Sequence, residues 1–154
     1  MLLTINQENY DKINILYSEK TKNNILTNGD FYRIYYSNKY FTTNGVYLLI
    51  NLKNVKIDSY FNKIKCIFDK FSNKNIIAFV KNIEHTLLNN SPVKNKTPKY
   101  RIDDQLSQNF IKIFGDHNNR VNMLYDNIDI LLKISGIWCD DTNYGITFRF
   151  FINN

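Results

Sequence analysis

The sequence predicts a mostly β chain with one main helix, an α+β domain. Three observations carry this. Apolar and polar residues alternate in six or seven short segments, those segments are crowded with β-branched and aromatic residues, and one mid-chain stretch alone switches to helical spacing. At 154 residues and 44% hydrophobic content, the chain suits a single domain with one core of ordinary size.

Taken in order, residues 1–28 are the hardest to read. Leu2, Leu3 and Ile5 suit the opening of a strand, while Ile13, Ile15 and Leu16 suit either a strand or a short helix. The polar stretch from Ser18 to Asn24, followed by Asn28 and Gly29, reads as loop and turn. Phe31 to Tyr36 is aromatic and β-branched enough to be a strand, and a regular continuation would put Arg33, Tyr35 and Lys39 on one face. Thr43, Asn44 and Gly45 turn the chain into the apolar strand Val46 to Leu52, and Asn51 to Phe61 either extends it or forms another. Ile64 to Asp69 alternates again. Then Ile76, Val80, Ile83 and Leu87 recur at helical spacing, which predicts a helix over about 73–89, started by Ser72 or Asn73 and closed by Asn89, Asn90 and Pro92. Residues 91–101 (SPVKNKTPKYR) form a basic loop or edge segment, because proline cannot donate to a ladder. Phe110 to Phe114 is a strand, and Gly115 to Asn119 turns it.

The last segment, 129–152, is the most patterned. Ile130, Leu132, Ile134 and Trp138 fall on one phase, and Tyr144, Ile146, Phe148 and Phe150 on another, with the polar turn Cys139 to Asn143 between them. This is an antiparallel hairpin. Its other face carries Lys133, Ser135, Thr147, Arg149 and Phe151, and Gly136 and Gly145 mark a bend, a bulge or a close approach. A mid-chain helix among six or seven strands suits a small Greek-key barrel. The OB-fold, with its helix between the third and fourth strands, is the natural candidate.

The segments Leu131 to Trp138 (LLKISGIW) and Tyr144 to Phe148, within YGITFRF, also carry a resemblance. They are similar to the closing hairpin of a family of small single-stranded DNA-binding proteins encoded by large nucleocytoplasmic DNA viruses. In that family a hydrophobic strand ends in SGIW or TGIW, and after a turn a Gly leads into an alternating aromatic and basic strand. Lys65 to Asn90 resembles the family's strand and following helix, and Pro98 to Phe114 its Pro-led strand segment; nothing before about Phe31 takes part. The resemblance implies the same OB-like architecture and the coating of single strands in DNA replication, repair or recombination. It also implies a viral protein placed in the host nucleus, a cytoplasmic viral factory or the virion. Which residues touch DNA it does not say.

Composition agrees with an anionic partner: the formal charge is +6, the pI about 9.2, and 15% of the residues are aromatic. Heavy use of Asn, Lys, Ile and Tyr fits an AT-rich coding genome as well. Two cysteines, Cys66 and Cys139, make no disulfide framework, which favours a reducing, intracellular setting. The opening residues turn polar too soon for a secretory signal, and no apolar run suits a membrane span.

Enzymatic motifs are missing: there is no G-x-x-x-x-G-K, G-x-S-x-G or H-E-x-x-H. His85 and His117 have no partner in sequence, and Cys66, His85, His117 and Cys139 lack zinc-site spacing. Asp103 with Asp104, and Asp140 with Asp141, read as turn and capping residues more readily than as metal ligands. The chain is therefore expected to be no enzyme and to need no cofactor.

What remains is binding. Proteins that hold single strands pair cations for phosphates with aromatic faces for bases. By strand face, the phosphate candidates are Arg33, Lys39, Lys99, Arg101, Lys112, Lys133 and Arg149, and the stacking candidates are Tyr35, Tyr40, Tyr100, Trp138 and Phe151. Trp138, in phase with Ile130, Leu132 and Ile134, suits the core better than a platform. Single-stranded DNA or RNA, read without sequence preference, is the expected partner, and a homo-oligomer is compatible with it. The alternative is a viral structural or assembly protein that buries its exposed aromatics and strand edges against another protein.

Overall fold

A computed structural model describes residues 3–22 and 29–154. Ten strands and two helices follow in the order β1 (Ile15–Tyr17), β2 (Thr21–Lys22), β3 (Asp30–Ser37), β4 (Thr42–Asn44), β5 (Val46–Tyr60), β6 (Lys63–Phe68), α1 (Lys74–Asn89), β7 (Thr97–Lys99), α2 (Arg101–Ser107), β8 (Phe110–Ile113), β9 (Leu124–Cys139) and β10 (Asn143–Ile152).

Five of these strands close on themselves. β9 pairs with β5, β5 with β6, β6 with β8, β8 with β10 in parallel, and β10 returns to β9. In chain order the ring runs first, second, third, fifth, fourth, with the third and fifth parallel, which is an OB-fold-like barrel. Closure removes the sheet edges that an open β domain would expose. One expectation is corrected: α1 lies between the second and third barrel strands, β6 and β8, not between the third and fourth. The 15-residue β5 absorbs both of the segments that the sequence left divisible at Asn51.

The barrel interior is filled by the alternation read from the sequence. Ile130, Leu132 and Ile134 of β9 meet Leu48, Ile50, Ile57, Ile64, Cys66 and Ile111 in one buried cluster. α1 packs its stripe of Ile77, Val80, Ile83, Leu87 and Leu88 toward β5 and β10. Asn73 precedes it without capping it; its side chain instead holds the Lys53 N–H at 2.8 Å and donates to the carbonyls of Lys53 and Asp69.

The short helix α2 is absent from the sequence reading. Its N-terminus is held from α1: Glu84, fully buried, accepts from the N–H groups of Ile102 and Asp103, both at 2.8 Å. A carboxylate facing the exposed N–H groups of a helix start is favourable, and here the two elements are fixed to each other by it. At the start of the chain, Ile5 bridges to Leu48, and Lys12–Asn14 form one 3₁₀ turn before β1. β3 then links the barrel to a small outer layer through β1, β2 and β4.

Candidate nucleic-acid interface

The outer face of the β9–β10 hairpin is built in rows. Tyr47, Lys133 and Arg149 lie side by side across β5, β9 and β10, and Leu49, Leu131 and Phe151 form the adjacent row. Lys133 and Arg149 are directly opposite each other, an arrangement of like charges that destabilises a sheet unless something offsets it. No carboxylate does. Among the described residues the only ion pairs are Lys20–Asp30, Lys81–Asp103 and His85–Asp103. Aromatic rings stand in instead: the Lys133 Nζ is 5.8 Å from the Tyr47 ring centre, and the Arg149 guanidinium lies 4.1 Å over Phe114, which also meets Phe151 edge-on.

Along the hairpin the face changes character at a bulge. β10 residues Thr147 and Phe148 pair with Gly136 and Ile134, which leaves Ser135 as the extra residue on β9. There β9 also exchanges β5 for β3 as its neighbour. The extra residue shifts the phase. Ile137 and Cys139 now point to the core cluster, and Trp138 moves to the outer face. The sequence phase that aligned Trp138 with Ile130, Leu132 and Ile134 is broken by this one residue.

Two aromatic rings pack against glycines on this face. A Cβ on Gly136 would come within 2.3 Å of the Tyr32 carbonyl oxygen and 2.5 Å of the Phe31 ring, and one on Gly145 within 2.9 Å of the Trp138 ring, so a side chain at either position forces its neighbours to move. Phe31 and Trp138 are direct cross-strand neighbours. Each carries an arginine: Arg33 is 6.0 Å from the Phe31 ring centre, and Arg101 is 4.6 Å from that of Trp138. Trp138 is 9% exposed beneath that guanidinium, and its Nε1–H has no partner. Lys99 on β7 pairs with Gly145 beside it. From Phe151 to Gly145 the stripe runs about 20 Å at roughly 3.4 Å per residue.

At the Arg149 end, the outer face turns onto the second and third barrel strands. Lys65 and Lys112 form a second like-charge pair directly across β6 and β8, at 6.0 and 5.9 Å from the Tyr60 ring centre. Asp58, opposite Lys65 on β5, turns its carboxylate to the Ser59 N–H. A cleft of about 410 Å³ opens here between the β5–β6 turn and the end of β8.

The remaining sequence candidates lie elsewhere. Tyr35 is half-buried on the same face of β3 as Arg33, but Lys39 is not, because the strand ends at Ser37. Lys39 and Tyr40 instead pair with each other in the β3–β4 turn, 4.9 Å apart. Tyr100 has one face of its ring already taken: it stacks on His85 at 3.9 Å and 11°. His85, without a partner in sequence, also holds Asp103 at 2.9 Å. Burial works to raise the Asp103 carboxyl, but hydrogen bonds from His85 and Ser107 and the Lys81 ammonium outweigh it and hold it below its usual range. The Asp140 carboxyl is lowered by the N–H groups of Asn143 and Thr142, which it caps in the β9–β10 turn.

Sequence reasoning missed Phe31, Tyr47, Tyr60 and Phe114, all in aromatic or alternating strands that give no hint of which ring meets a cation. Among the described residues no group of three His, Cys, Asp or Glu side chains could hold a metal ion, and no helix is long and apolar enough to cross a membrane. Both cysteines are buried thiols, and burial pushes that of Cys66 up to about 12.

The fold and site together define an OB-fold-like barrel with a basic, aromatic outer face. No family model, no curated protein and no solved structure matches the chain.

Proposed function

We propose that this protein binds single-stranded nucleic acid, DNA in the first instance, without sequence preference, and coats single strands in viral DNA replication, repair or recombination. The observation that carries the reading is the pair of like-charge cross-strand neighbours, Lys133 with Arg149 and Lys65 with Lys112, set against rings with no carboxylate bound to them. Such pairs cost stability in the free protein, and a row of phosphates removes that cost.

Phosphates follow Arg33, Lys99, Arg101, Lys133 and Arg149 along the stripe, and bases stack on the rings between them. Phe31 and Trp138 pack against glycines on the outer face, where a base can reach them. Arg101 covers the outer face of Trp138 in the free protein. A phosphate draws the guanidinium away and a base takes its place, contributing about 1–3 kcal/mol per stack. Stacking and phosphate contact discriminate poorly between bases, hence the lack of sequence preference. The hairpin's resemblance to viral single-stranded DNA-binding proteins points the same way, and the reading involves binding with no catalytic step.

The test is fluorescence anisotropy with labelled oligo-dT and with a duplex of equal length, each at two salt concentrations. Salt-sensitive binding that prefers the single strand is expected. Failure to bind either at low salt overturns the reading and reassigns the outer aromatics to a protein partner.

A further inference from the structure

The cleft beside Arg149 differs from the stripe in shape and in charge. Its wall carries Lys63, Lys112 and Arg149 together with Tyr60 and Phe114, over an apolar floor that includes Ile113 and Phe150, and no carboxylate lines it. Its volume of about 410 Å³ falls within the range of small-ligand sites. It lies off the line of the hairpin, where the surface turns from β10 onto β8 and β6.

Three cations line this one depression. A phosphodiester within a strand carries one negative charge, but a phosphomonoester carries roughly −1.5 to −2 at neutral pH. Two of the three are held by rings, Arg149 at 4.1 Å over Phe114 and Lys112 at 5.9 Å from the Tyr60 ring centre, and among the described residues none of the three is in an ion pair. They therefore remain available to an anion. Gln105 steadies the wall by accepting the Lys112 N–H at 2.8 Å.

We propose that this cleft seats a nucleoside phosphomonoester, its phosphate among Lys63, Lys112 and Arg149 and its base against Tyr60 or Phe114. The inference deepens the single-strand reading and rests on it for the strand whose end would enter. A phosphorylated chain end and a free mononucleotide present the same chemistry, and the experiment separates them.

Oligo-dT of one length is titrated with hydroxyl groups at both ends, with a 5′-phosphate, and with a 3′-phosphate; thymidine monophosphate and thymidine are titrated separately by calorimetry. One phosphorylated oligomer is expected to bind about fivefold more tightly than the hydroxyl-ended one, the share of a single exposed charge pair. Lys63→Gln, which lies off the stripe, is expected to abolish that gain and leave the hydroxyl-ended affinity unchanged, and Lys112→Gln to abolish the gain as well. Binding of the monophosphate but not thymidine, lost in Lys63→Gln and without any end preference, assigns the cleft to free mononucleotides. No gain from either phosphate together with no monophosphate binding overturns the cleft assignment while the stripe reading stands, and a gain that survives Lys63→Gln overturns it too. Should the hydroxyl-ended oligomer fail to bind, the stripe reading falls, and the monophosphate titration still decides the cleft.

Discussion

Replacing Arg101 with alanine uncovers the outer face of Trp138. The guanidinium lies 4.6 Å from the ring centre, and beneath it the indole is 9% exposed. Two losses follow. A cation–π contact at a solvent-facing site contributes about 0.5–1 kcal/mol, and opening on the order of 50 Å² of ring to water costs about 1 kcal/mol at roughly 25 cal/mol/Å². The variant should therefore be less stable by about 1–2 kcal/mol, which for a chain of this size lowers Tm by about 3–6 °C. Trp138 is the only tryptophan in the sequence, so intrinsic emission reports on this position alone. The variant's emission should move to the red and its quenching by acrylamide should rise, while the unfolding transition stays cooperative. Unchanged emission and quenching, with stability within about 0.5 kcal/mol of the parent, would refute the account of Arg101 as the cover of a stacking face.

Gly145→Ala brings a Cβ to 2.9 Å from the Trp138 ring and 3.0 Å from the Lys99 carbonyl; it should cost about 1–3 kcal/mol and shift the same emission, and a silent substitution would show that the ring does not lie on the glycine. Phe61 occupies the tip of the β5–β6 turn at φ +44° and is 94% exposed, a backbone conformation that suits Asn far better than an aromatic. Phe61→Asn should stabilise the protein by about 1 kcal/mol in urea denaturation, and a loss of stability would mean that the ring packs on something. Burial raises the Glu84 carboxyl above its ordinary 4.5, although the N–H groups of Asp103 and Ile102 pull it down. With the folded value above the unfolded one, this group's contribution is fully present below the unfolded value and is lost as pH rises through the folded one. The stability of the parent minus that of Glu84→Gln should therefore fall as pH rises through and above the ordinary carboxylate value; a flat or rising difference contradicts the assignment.

The barrel was legible because its strands alternate: the inward phase of β9 and β10 could be read directly as Ile130, Leu132, Ile134, Ile146 and Phe150. The helix α1 was legible for the same reason, at a different period. α2 was not, since its seven residues offer only Ile102 and Leu106 as apolar positions and its N-terminal partner, Glu84, sits on another helix. The place of α1 within the barrel depends on which strands close the ring, a fact that periodicity does not contain. For the site, Lys133, Arg149 and Phe151 were readable from strand phase up to the bulge. Beyond it Ser135 inverts the phase, and Trp138 could be placed only once the pairing was known. Gly136 and Gly145 did signal close approach, but not that Phe31 and Trp138 are the approaching rings. Tyr100, beside four basic residues in sequence, looked exposed and is stacked on His85 because α2 packs against α1. The cleft draws its wall from β5–β6, β8 and β10, so no single segment carries its signature.

The central claim is that cations of the outer face hold the phosphates of a single strand. Its most direct test is the slope of log affinity against log salt for oligo-dT, measured for the parent and for Lys133→Gln/Arg149→Gln. Five phosphate contacts, at Arg33, Lys99, Arg101, Lys133 and Arg149, predict a slope of about −3.5 at roughly −0.7 per phosphate of a single strand, falling to about −2.1 in the double variant. A parent slope near zero, or one that the double variant leaves unchanged, would contradict the account.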